Sequence, residues 1–142
     1  MRTALLGFGF LLALVIAAPA CGGDSNNGTS GPPFAPVEAF FNGADGFCSG
    51  CHTGGSTELL PSAMNLTTGS AYASIVDVDS IECAAMGGRK RIKPGAPEQS
   101  YIIDKMKGIN LCMGVQMPLG LPPVAATWIT LVEDWIRGGA SR

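Results

Sequence analysis

Cys48-Ser49-Gly50-Cys51-His52 is the stretch on which the reading of this chain turns. Residues three apart share one face of a helical turn, so the two thiols reach the same edge of a flat group. Ser49 and Gly50 are small, which lets the turn press close to that group. His52 follows at once and can swing its imidazole beneath the group. Two thiols and an imidazole at this spacing read as the attachment site of a c-type haem, with Cys48 and Cys51 forming thioethers and His52 binding the iron. His52 is the only histidine of the 142 residues, so the spacing implies one haem and no second imidazole ligand within the chain. Three other uses of the pair compete. A redox dithiol needs a strand-helix-strand setting. A zinc site would draw on Cys48, Cys51, Cys83 and Cys112, but the last two lack the close spacing of zinc modules. A plain disulfide beside an incidental histidine is the third.

The sixth ligand, if side chains fill it, is a methionine, since thioether with imidazole is a stable haem pairing that raises the potential. Met64, Met86, Met106, Met113 and Met117 are available. Met106 sits at helical spacing with Tyr101, Ile102 and Lys105, where core packing explains it. Met64 and Met86 stand near loops. Met117 precedes Pro118, which biases it to an extended backbone, and is the preferred candidate. Met113 is the alternative.

Around this site the pattern is helical. A short helix spans Pro36 to Phe41 and a second runs from Ser70 to Val76. Pro97 and Glu98 open a third that ends near Gly108. Trp128, Ile129, Leu131, Val132, Trp135 and Ile136 mark a broad apolar face on a terminal helix stopped by Gly138-Gly139. Residues 111–124 carry Gly114, Gly120, Pro118, Pro122 and Pro123 and make a shaped loop. No stretch alternates strictly enough for a strand. The expectation is an all-α domain of three to five short helices with long loops around one covalent haem, without internal repeats. So little regular structure makes a modest core, and small domains of that kind need covalent staples.

The N-terminus adds a location. Arg2 and the apolar run Leu5 to Ala18 are too short to span a bilayer. With Ala18-Pro19-Ala20 they read as a secretory signal peptide over residues 1–20. Cys21 comes next, as in bacterial lipoprotein signals, where that cysteine is acylated; the alternative is ordinary cleavage that leaves a free thiol. Gly22 to Gly31 is polar and flexible in composition, so residues 21–35 form a tether and 36–142 the domain. Gly22 in place of Asp leans to the outer membrane, with the choice of membrane open. Nine basic against eleven acidic residues give no basic excess, which argues against nucleic-acid partners. Arg89, Lys90, Arg91 and Lys93 cluster, either as a solvated loop or as a patch for an acidic redox partner or haem carboxylates.

The Cys48–His52 motif, Met117-Pro118, and a last helix with Trp135-Ile136 before Gly138-Gly139-Ala140 together resemble the class I cytochrome c domain family. The resemblance covers roughly residues 36–140. It implies a helical fold whose first and last helices cross beside the haem. It also implies Cys48 and Cys51 as haem anchors, with His52 and Met117 as axial ligands. Arg91-Ile92-Lys93-Pro94-Gly95 through Ser100-Tyr101 is similar to exported bacterial members. Cys83 and Cys112 depart from the mitochondrial type; left over in an oxidising compartment, they are expected to pair and to stiffen the loop that presents Met117. The function implied is electron transfer between redox partner proteins by a periplasmic, membrane-anchored lipoprotein that is not an enzyme. The competing classes are a haem enzyme or sensor with an open sixth site and a structural zinc protein that uses the four cysteines.

Overall fold

A computed structural model describes residues 30–55 and 64–142. The signal segment, Cys21 and the tether as far as residue 29 lie outside the described residues. Four α-helices form: α1 (Phe34–Asn42), α2 (Ala71–Ile75), α3 (Tyr101–Lys107) and α4 (Ala126–Arg137). Short 3-10 turns lie at Cys48–Gly50, Ile81–Met86 and Pro97–Gln99. Among the described residues there is no strand, only isolated bridges such as Val76 with Ile92 and Lys90 with Ser100. The domain is all-α with long loops.

Helix α1 starts two residues before the expected Pro36. Pro36 falls in the first turn, where its missing N–H has no helical partner to lose. Phe34, Val37, Phe40 and Phe41 are buried and recur at the spacing of one helix face. That face meets α4. Phe34 lies 5.1 Å from Trp135 between ring centroids, and Phe40 stacks on Trp128 at 5.1 Å. Val132, Trp135 and Ile136 of α4 are fully buried. The chain end then folds back: the Trp135 indole N–H donates to the Ser141 carbonyl at 2.7 Å, and the Tyr72 hydroxyl to the Ala140 carbonyl at 3.0 Å. The first and last helices thus form the centre of the core, with α2 against α1 and α3 against α4.

The third helix is shorter than its sequence pattern. Pro97–Gln99 is a 3-10 turn, and Ser100 is extended between it and α3. The fully buried Ser100 hydroxyl binds the Ala96 carbonyl at 2.9 Å and receives the Lys93 N–H at 2.9 Å. The next N–H, of Tyr101, bonds Lys90 O at 3.0 Å, so the backbone here is tied to the neighbouring segment rather than to a longer helix. Residues 89–93 thread between two segments. Ile92 N–H bonds Ile75 O at 3.0 Å and Arg91 N–H bonds Val78 O at 2.7 Å on one side; on the other, Ile102 N–H bonds Arg91 O at 3.1 Å. The basic cluster is therefore split. Arg91 is buried, correcting the solvated-loop reading at that residue, while Arg89 pairs with Asp104 at 2.6 Å and Lys90 with Asp79 at 2.9 Å.

Candidate functional site

The motif follows a tight approach from α1. Phe47 N–H bonds Gly43 O at 2.8 Å, and Phe47 itself is left-handed, with φ 49°. An aromatic residue in that region is strained, and such outliers gather at functional sites. Cys48–Gly50 then makes one 3-10 turn, closed by Cys51 N–H to Cys48 O at 3.2 Å, and His52 N–H shares the same carbonyl at 2.9 Å. A Cβ on Gly50 would stand 2.7 Å from the Phe47 ring. The small residue between the two thiols is what lets that ring fold over the turn.

Cys48, Cys51 and His52 line one cavity of about 380 Å³, and Met117 lines it too. The volume lies in the range of sites that hold small molecules and cofactors. Its walls are largely apolar, with Phe41, Leu66, Ile102, Met106, Pro118, Leu121 and Val124. The Cys48 thiol points to the Gly46 carbonyl at 3.4 Å. Burial pushes its pKa up to about 11, with the neighbouring Cys51 adding to the rise, whereas the Cys51 residue is exposed. Burial also lowers the pKa of His52 below the ordinary imidazole value; Glu82 opposes the shift, and Lys105 and Arg91 reinforce it. The imidazole is consequently neutral at pH 7, the form that binds metal.

Of the five candidate methionines, Met64, Met106 and Met117 line the cavity. Met86 and Met113 do not line it and are exposed, 66% and 61%. Met117 is held by its own N–H, which bonds Lys105 O at 2.8 Å, and its peptide bond to Pro118 is cis. Cys83 and Cys112 form the expected disulfide. The cavity also gathers residues that pattern reading passed over. Lys105 and Glu82 pair at 2.8 Å in its wall, and the Tyr101 hydroxyl donates to the same Glu82 carboxylate at 2.8 Å while accepting the Cys112 N–H at 3.1 Å. Arg91, from the basic cluster singled out in the sequence, also lines the cavity and donates to Ser74 O at 2.7 Å. Lys105 and Tyr101 lie on a helix marked only by its apolar spacing, and Glu82 on a turn with no pattern, so no local signal pointed to them. The remaining basic residues, Arg89, Lys90 and Lys93, line a separate charged hollow with Asp77 and Asp79.

Among the described residues, no group of three or more His, Cys, Asp or Glu side chains gathers as a metal site, and no helix is long and apolar enough to cross a membrane. Comparison with protein-family models, with curated proteins and with solved structures gave no match.

Proposed function

We propose that this chain is an exported electron-transfer protein of the class I cytochrome c type, with one covalent haem anchored by Cys48 and Cys51 and ligated by His52 and Met117. The observation that carries the reading is the shared cavity: both thiols, the imidazole and one thioether, from distant parts of the chain, line the same apolar volume. The residues present suit a haem. Apolar walls match a porphyrin face, and Arg91, beside the Lys105–Glu82 pair, leaves a net positive charge that suits its carboxylates. The neutral imidazole of His52 offers a lone pair, and the thioether of Met117 offers a soft, uncharged partner.

When bound, the haem supplies a one-electron couple; the chain supplies burial, orientation and ligand identity. Cys48 and Cys51 would hold the group covalently along one edge, so that it could not leave. The apolar walls would keep water from the group and so would favour the iron state of lower charge. With His52 and Met117 both holding the iron, the group would be suited to passing electrons between a donor and an acceptor protein rather than to bond chemistry. Acylation at Cys21 would keep it at a periplasmic membrane face; that part rests on the sequence alone. The four-cysteine zinc alternative is disfavoured because Cys83 and Cys112 are bonded to each other and offer no thiolate.

The test is optical. Protein made with haem-maturation machinery should show a reversible one-electron titration and a methionine-to-iron charge-transfer band. Met117→Ala should abolish the band and admit carbon monoxide. A wild-type protein that lacks the band and binds carbon monoxide readily would point instead to an enzyme or sensor with an open sixth site.

A further inference from the structure

Met117 reaches the cavity from residues 108–125, a segment without regular structure. What fixes it there can be read from α3. The last four carbonyls of a helix lack donors of their own. Asp104 O receives the N–H groups of Gly108 and of Ile109, the latter at 3.1 Å. Lys105 O receives the Met117 N–H at 2.8 Å, and Met106 O receives the Gln116 side-chain amide, Nε2, at 2.8 Å. The loop therefore comes back to cap the helix it left, and it does so with the two residues that end in Met117.

We propose that Gln116 is a positioning residue: its amide, clamped on the Met106 carbonyl at the end of α3, sets where the Met117 thioether stands and how firmly Met117 holds the sixth iron position. The proposal rests on the His52/Met117 reading above and deepens it. Two further features support it. Gly108 is left-handed, φ 70°, and a Cβ there would meet Gln116 Oε1 at 2.8 Å and Gln116 Cβ at 3.1 Å, so the glutamine occupies space that only a glycine leaves. Helix α3 is itself fixed, with Ile103 and Met106 in the core and Asp104 paired with Arg89 at 2.6 Å. The clamp thus refers Met117 to a rigid element. The disulfide acts from Cys112, five residues upstream and beyond Gly114.

Loss of one such hydrogen bond should raise the population with Met117 detached by about five-fold. An external ligand reads that population, because its apparent affinity scales with the fraction of competent protein. The experiment is a titration of the oxidised, haem-loaded full chain with imidazole, followed at the methionine-to-iron band and normalised to covalent haem. Gln116→Leu, and Gln116→Glu, which cannot donate, should bind imidazole about five-fold tighter or more. Gln116→Lys keeps a long donor and places a cation at a helix C-terminus; it should titrate like the wild type. Gly108→Ala drives the glutamine out from the other side and should follow Gln116→Leu. Leu and Glu variants that titrate like the wild type would overturn the proposal. So would a Lys variant as loose as the other two, since that would mean general disruption of the loop. If Met117→Ala leaves the band of the wild type in place, the ligand assignment falls, and this inference with it; a band lost in Met117→Ala, with Gln116→Leu and Gln116→Glu binding imidazole like the wild type, overturns the inference alone.

Discussion

A thiol reacts as its thiolate when a reagent can reach it, and burial hinders both at Cys48. Cys48 is half-buried, with its pKa pushed up to about 11, while Cys51 is exposed. In the haem-free chain at neutral pH, iodoacetamide should therefore modify Cys51 well ahead of Cys48, as peptide mass spectrometry would read. Equal rates would mean that the Cys48 side of the cavity is open to water. The same residue scale shows what local pattern can and cannot tell. The spacing of Cys48, Cys51 and His52 is a local signature legible in five residues, and the helical pattern and the export signal are what set the haem reading above a dithiol or a zinc site. The burial of Arg91 is the opposite case: in sequence it is one of four nearby cations, and only the threading of residues 89–93 between two other segments takes it inside.

At the scale of elements, the α1–α4 contact organises the domain. Trp135 is fully buried, packs on Phe34 at 5.1 Å and ties the chain end through Ser141 at 2.7 Å. Trp135→Ala should cost about 3–5 kcal/mol, a large share of a small domain's stability, and would show as a fall in the urea midpoint of the haem-loaded protein. A fall of well under about 1 kcal/mol would mean the two helices do not depend on that contact. The helices themselves were legible because apolar residues recur along α1 and α4 with turn periodicity and glycines follow them. The break at Ser100 was not, since the hydroxyl's partners at Lys93 and Ala96 compete with helix only once the chain has folded. The 3-10 turn Ile81–Met86 carried no signal either: Cys83 is its one buried residue, and a tertiary bond to Cys112 holds it.

On the scale of the whole molecule, the site is a volume between elements rather than a property of any one of them. Sequence could nominate Met117 by its proline neighbour, yet Met64, which had no such feature, lines the same cavity. Glu82, Tyr101 and Lys105 come together only because the disulfide, α3 and the Met113 loop converge. The disulfide closes a loop of 29 residues, which restricts the unfolded chain by at most about 3.6 kcal/mol. Removing it with Cys83→Ala and Cys112→Ala should lower the thermal midpoint, yet leave the methionine-to-iron band largely in place, because the ties from Gln116 and Met117 to α3 remain. Disappearance of the band in that double variant would return the main role in holding Met117 to the disulfide.

The central claim is that the cavity beside Cys48, Cys51 and His52 is built for a covalent haem. The most direct measurement is the mass and visible absorbance of the chain, made in a host with haem-maturation machinery and then fully denatured. The account predicts one haem retained on the denatured polypeptide and lost when both Cys48 and Cys51 are replaced by Ser. A denatured chain without haem would contradict it.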